Sequence, residues 1–161
     1  MGIHLLSVSS CKGSQRVSNE QLESLANINT KNTFKLTGIN QRNYLGPNES
    51  LSTICATAVK EALRKAGVCP AAVKLLIVAS STPDDLMGDS GKLSHLCGLI
   101  NATTFDIRAA CTGFITAMAC ANEMLKDGYA IIVGADAMSR TLDWSDRNTC
   151  TLFGDACGAC V

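Results

Sequence analysis

The spacing of apolar and polar residues changes period repeatedly along this chain, and each change marks an element. Ile3 to Val8 is a short apolar run read as a strand, and Asn19 to Ala26 has helical spacing with Ser18 or Asn19 as its cap. Asn27 to Asn48 is polar and aperiodic, which predicts irregular chain. Ser50 to Ala66 is an amphipathic helix, capped near Asn48 or Ser50 and stopped by Gly67, with Pro70 soon after. Val73 to Ser80 is almost continuously apolar, the pattern of a central strand covered on both faces. A turn at Ser81-Thr82-Pro83-Asp84-Asp85 leads into a helix that ends near Cys97. Thr104 to Ile107 then reads as a strand, Cys111 to Lys126 as a helix and Ala130 to Ala135 as another buried strand. Arg140 to Asn148 is a polar loop, and Cys150 to Phe153 begins a further strand.

Strands that alternate with helices predict a layered α/β domain. The helix from Cys111 adds to this. Phe114, Ile115, Ala117, Met118, Ala119, Cys120, Ala121, Met124 and Leu125 surround nearly its whole circumference. A helix apolar all round is buried all round, and one domain of 161 residues is too small to enclose it. A further layer, from more chain or another subunit, is therefore expected. The apolar ending Ala159-Cys160-Val161, without cap or polar tail, carries the same expectation.

Charge narrows the functions. Fourteen basic residues balance fourteen acidic ones, so no nucleic-acid or membrane-surface partner is expected. No apolar run approaches a membrane span. No secretory signal is seen at the start, and the nine cysteines fall mostly inside periodic segments, as Cys55, Cys97 and Cys120 do. A reducing compartment is expected. Cys157-Gly158-Ala159-Cys160 has C-x-x-C spacing, but a zinc site needs a second ligand pair; only Cys150 is near, and His4 and His95 are remote. No metal is assigned.

Cys111 is the candidate for chemistry. It lies in Ala109-Ala110-Cys111-Thr112-Gly113-Phe114, between a strand-like segment and the apolar helix. A thiol at a helix N-terminus faces unpaired N–H groups and the positive end of the helix dipole, both of which favour thiolate, the nucleophilic species. The competing reading is a small cysteine packed at a helix start.

Five segments together resemble one family. Ser81-Thr82-Pro83-Asp84-Asp85-Leu86, the cysteine segment Ala109 to Phe114, Gly134-Ala135-Asp136, Asp143-Trp144-Ser145-Asp146-Arg147 and Leu152-Phe153-Gly154-Asp155 occur in order and near spacing. They resemble β-ketoacyl-acyl-carrier-protein synthase III, the condensing enzyme that begins type II fatty-acid synthesis, and look most like cyanobacterial and plastid members. The resemblance runs from about Val17 to Val161, the N-terminal half of a family member. It implies a thiolase-like layered sandwich of two duplicated α/β halves, usually dimeric. Residues 1–161 would form one such half, a mixed sheet with covering helices.

The resemblance also implies roles. Cys111 would accept an acetyl group from acetyl-CoA, and malonyl-acyl-carrier protein would then be decarboxylated and condensed with it. No cofactor is implied, acetyl-CoA being a substrate. Arg147 would contact CoA, Phe153 would line the acyl pocket, and Met87 would reach across a homodimer to cap the partner's pocket. Asn32 stands where the family has a tryptophan that stacks on the CoA adenine, and Leu36 where it often has an arginine, so weaker CoA binding is expected. The stretch from Lys126 to Ala130 is shorter than usual. The family's decarboxylating His and Asn belong to the other half, and neither His4 nor His95 matches that histidine. The cytoplasm or the plastid stroma is the implied location. A non-catalytic remnant or interaction module, and a polyketide or hydroxymethylglutaryl-CoA type of synthase, remain as alternatives.

Overall fold

The computed structural model describes residues 2–161. Its frame is a five-stranded mixed sheet in the order β1-β7-β6-β4-β5, where β1 is Val8–Lys12, β4 Val73–Ala79, β5 Thr103–Ile107, β6 Tyr129–Ala137 and β7 Asp155–Cys160. β4 pairs parallel with β5 and β6, while β7 runs antiparallel to both β6 and β1. Parallel neighbours need crossover connections. Here α4 (Ser90–Cys97) crosses from β4 to its neighbour β5, and α5 (Gly113–Met124) returns from β5 to β6, on the other side of β4. This is the α/β architecture expected.

Alternation along the strands divides the core. Leu76, Val78, Ile131, Val133, Cys157 and Ala159 face α3 (Leu51–Ala66) and α4, whereas Leu75, Ile77, Ile132 and Cys160 face α5. Both sides of β4 are thus covered, which explains its unbroken apolar sequence. α3 is the best-defined helix. Ser50 forms a reciprocal cap with Thr53, Gly67 ends the helix at φ +65°, and one face from Leu51 to Leu63 is buried.

α5 agrees with the expectation that these residues alone cannot enclose it. Gly113, Ala117 and Ala121, at i, i+4 and i+8, are buried against the sheet, but Ile115 is 67% exposed and Met124 48%. Residues 2–161 cover one stripe of this helix and leave its outer face bare.

Three expectations are corrected. The first strand is Val8–Lys12, not Ile3–Val8, because its ladder with β7 begins at Val8 opposite Cys160. The last strand begins at Asp155, not Cys150. Asp146 caps a short helix, α6 (Arg147–Cys150), which carries Cys150 into the core before the strand starts. The span 27–48 is not irregular throughout. α2 (Thr33–Thr37) and β3 (Gln41–Tyr44) lie in it, and β3 pairs antiparallel with β2 (Gln15–Ser18). The helix expected at Asn19 to Ala26 is present as α1 (Asn19–Ala26), with Ser18 and Gln21 forming its capping box. Among the described residues no helix is long and apolar enough to cross a membrane.

Candidate active site

β4, β5 and β6 run parallel, so their carboxyl ends open on one edge of the sheet, where open α/β sheets place their ligands. Three connections gather there. Residues 80–89 follow β4 and carry Met87, residues 108–112 follow β5 and carry Cys111, and residues 138–154 follow β6 and carry Arg147 and Phe153. The candidate side chains therefore share one edge of the fold.

The connections are braced to one another. Asp136, near the end of β6, accepts hydrogen bonds from Ser81 N at 2.8 Å, Thr82 N at 3.1 Å and Thr82 Oγ1 at 2.9 Å. Ala137 N donates back to Thr82 Oγ1 at 2.7 Å. Arg140 Nη1 donates to Asp84 Oδ1 at 2.7 Å, and Arg108 Nη2 to the Leu86 carbonyl at 3.2 Å. The last bond ties the Met87 loop to the segment just before Cys111. Burial alone would raise the Asp84 carboxyl, but hydrogen bonds from Ser52, Arg140 and Leu51 outweigh it and hold Asp84 well below the usual carboxylate range.

Cys111 sits inside a single 3₁₀ turn, Ala110–Thr112, and not in the first turn of α5 as the sequence suggested. Ala110 has φ +46°, one of two non-glycine residues with positive φ among those described. That left-handed conformation costs roughly 1–2 kcal/mol for a residue bearing a Cβ. Strain of this kind collects at functional sites, and a strained strand-to-helix turn presents a nucleophile outward. Nothing in the Ala-Ala-Cys sequence signals it. The turn is anchored behind the thiol. Thr112 N and Oγ1 both donate to the Ala109 carbonyl, at 3.1 and 2.7 Å. Two glycines let α5 approach the sheet: a Cβ on Gly113 would lie 3.1 Å from Ala79 Cβ, and one on Gly134 only 3.0 Å from Phe114 Cδ2.

Among the nine cysteines only Cys69 and Cys111 are exposed, and Cys69 lies before β4, at the other end of the sheet. Several of the buried thiols are shifted away from ionisation. Burial pushes Cys97 up to about 11 and raises Cys160, while hydrogen bonding with Cys157 and burial together raise Cys55. Cys157 and Cys160 are three apart on β7 and point to opposite sides of the sheet, into separate parts of the core. Their spacing is one of packing positions.

The remaining candidates are on the surface. Arg147 is exposed at the start of α6, Phe153 is 40% exposed and Met87 88% exposed. A cavity of about 450 Å³ lies beyond the other edge, between residues 2–6, Leu125 to Ala130 and Val161, and none of Cys111, Met87, Arg147 and Phe153 lines it. Asn32 precedes α2, and Leu36 within it is 75% exposed. His4 and His95 are exposed in the N-terminal segment and on α4.

Sequence reasoning missed the support for this edge. Arg42, buried on β3, donates to Asn19 Oδ1 at 2.8 Å and to the Thr151 carbonyl at 2.9 Å, and so ties the β2–β3 pair to the segment that carries Arg147 and Phe153. Asp155 accepts from Ser139 N, Ser139 Oγ and Leu45 N at 2.9, 2.6 and 2.8 Å. The only available signal was a charged residue in a short polar stretch.

Two curated relatives match almost the whole of this chain. A protein from Gloeobacter violaceus named β-ketoacyl-[acyl-carrier-protein] synthase III is 41% identical over 99% of this chain and 49% of its own length. One of the same name from Porphyra purpurea is 41% identical over 99% of this chain and 50% of its own. The chain is homologous to β-ketoacyl-[acyl-carrier-protein] synthase III. The family profile for 3-oxoacyl-[acyl-carrier-protein] synthase III matches residues 105–161, and the similarity to relatives extends well before Val17. The Aquifex aeolicus synthase III structure superposes with a TM-score of 0.90 at 30% identity, over 97% of this chain and 52% of that one. The priming β-ketosynthase of the R1128 polyketide pathway does so with 0.90 at 30%, over 98% of this chain and 48% of that one. The fold is thus the thiolase-like α/β fold of the synthase III enzymes. The chain spans about half the length of the curated relatives it matches.

Proposed function

We propose that this chain carries the acyl-accepting half of a β-ketoacyl-acyl-carrier-protein synthase III, with Cys111 as its nucleophile. The observation that carries the reading is an exposed thiol on a strained turn, at the carboxyl edge of a parallel sheet and directly before α5. The Cys111 thiolate attacks the acetyl-CoA carbonyl, the tetrahedral oxyanion collapses, and CoA leaves as a thiolate that takes up a proton, so that one difficult condensation becomes two easier steps. Preorganised N–H donors stabilise such an oxyanion by several kcal/mol.

Arg147 contacts CoA, and Phe153 lines the acyl pocket. Met87, being so exposed, serves a neighbouring subunit of a homodimer. Acyl-carrier protein delivers the malonyl group in the cytoplasm or plastid stroma, without a cofactor. Residues 1–161 form one N-terminal half-domain. Neither His4 nor His95 accompanies the thiol, so these residues support acyl transfer and not decarboxylation. The equal likeness to a polyketide priming ketosynthase favours one second reading, a polyketide type of synthase.

Intact-mass measurement after incubation with acetyl-CoA and with longer acyl-CoAs tests the proposal. One acyl group should appear on the folded chain and none on Cys111→Ala. A folded sample that takes up no acyl group from any of them would rule the reading out.

A further inference from the structure

Three thiols from distant parts of the chain meet beneath α3. In the antiparallel pair of β1 and β7, Cys11 stands opposite Cys157, and both pack into the core on the α3 side of the sheet. Ser7 and Val161 exchange backbone bonds in both directions, and Gly13 N donates to the Asp155 carbonyl at 3.1 Å. That pattern repeats at every second pair of an antiparallel ladder, which makes Cys11 and Cys157 a hydrogen-bonded pair with Cα atoms about 5.5 Å apart. Disulfides span Cα separations of about 4.4–6.8 Å. From α3, Cys55 packs into the same core cluster as Cys157. Cys55 and Cys157 are each 2% exposed, whereas Cys11 is only half-buried.

We propose that this cluster is an oxidisable site, separate from Cys111, in which Cys11 meets a two-electron oxidant and Cys157 resolves it as a cross-strand disulfide. With hydrogen peroxide, the Cys11 sulfur attacks one peroxide oxygen, the O–O bond breaks, and a sulfenic acid and water result. The Cys157 sulfur then attacks the Cys11 sulfur, the S–O bond breaks and a second water leaves. Two thiols lose two electrons and two protons, and the peroxide takes up both. Side chains of a hydrogen-bonded pair stand further apart than those of a non-hydrogen-bonded pair, so the bond is strained and readily reduced. Burial raises the Cys11 thiol, which makes it slower than an exposed cysteine.

The test uses the full chain with Cys69→Ser and Cys111→Ser, which removes the two exposed thiols. The protein is treated with hydrogen peroxide, capped with N-ethylmaleimide and digested without reductant. Samples are compared after each shows cooperative thermal unfolding. Expected is the loss of two hydrogens, reversed by dithiothreitol, and a peptide pair whose fragmentation joins Cys11 to Cys157 rather than to Cys150 or Cys160. In the Cys11→Ser variant the pair should fall to the level of the reduced control, and in Cys55→Ser it should persist. No crosslink in the folded chain would overturn the proposal. So would a Cys55–Cys157 link that forms equally well without Cys11, because oxidant would then reach the buried pair by another path.

Discussion

Asp84 is the residue whose loss should be felt furthest from its own position. Its carboxylate accepts Leu51 N at 3.0 Å, Ser52 N at 2.8 Å, Ser52 Oγ at 2.6 Å and Arg140 Nη1 at 2.7 Å, so the loop after β4 serves as a second cap on α3. Asp84→Ala removes a cap, which costs about 1–2 kcal/mol. It also strands the Ser52 hydroxyl, which is fully buried, at about 1–2 kcal/mol more. The Arg140 pair adds little, about 0–1 kcal/mol, because the arginine side chain is 39% exposed. The sum is about 3 kcal/mol, a fall in Tm of roughly 6–12 °C for a chain of this length. Urea unfolding followed by far-UV circular dichroism reads it, with the denaturant slope unchanged. The carboxyl is depressed in the folded chain, so its stabilisation is complete above the unfolded value of about 4 and fades as pH falls towards the folded one. The deficit of Asp84→Ala should therefore shrink below about pH 4. A loss under about 1 kcal/mol at neutral pH, or a deficit independent of pH, would refute the reasoning.

Three further outcomes are expected. Ala110→Gly relieves the positive φ and should stabilise by about 0.5–1 kcal/mol in the same urea assay, while acyl transfer to Cys111 slows if the strained turn positions the thiol. Gly88→Ala should destabilise by about 3 kcal/mol or more, read by thermal unfolding: φ is +102°, and a Cβ would fall 2.4 Å from Asp106 Cγ, disturbing the bonds Asp106 accepts from Asp89 N and Ser90 N. Tyr44 is buried with its hydroxyl unpartnered and its titration pushed up to about 12 by burial, so Tyr44→Phe should be neutral or stabilising by up to about 1 kcal/mol. Because the folded value lies above the unfolded one near 10, the native chain should lose stability as pH rises past about 10, and less so in Tyr44→Phe; alkaline unfolding curves compare the two.

Where one periodicity dominates, the sequence sufficed. β4 is apolar because both its faces are covered, and α3 is bounded by a capping box and a left-handed glycine. The position of Cys111 between strand and helix was legible for the same reason. What escaped depends on partners distant in sequence. Gln41-Arg42-Asn43-Tyr44 alternates in burial, yet its buried residues are an arginine satisfied by Asn19 and Thr151 and a tyrosine packed edge-on to Trp144 at 5.5 Å. No hydropathy pattern marks such a strand. The ends of β1 and β7 were misplaced because pairing register sets them, and register is a property of two segments at once. The Ala110 strain was hidden because alanine gives no sign of a left-handed backbone.

The Arg42 tether also bears on how variants of this protein should be interpreted. A missense change at Arg42 or Asn19 would loosen the carbonyl of Thr151, more than a hundred positions away, and with it the stretch between Arg147 and Phe153. Under the role proposed for Arg147 and Phe153, kinetics would then report weakened substrate binding from a change that never meets substrate. Screens that rank positions by nearness to the thiol would overlook it.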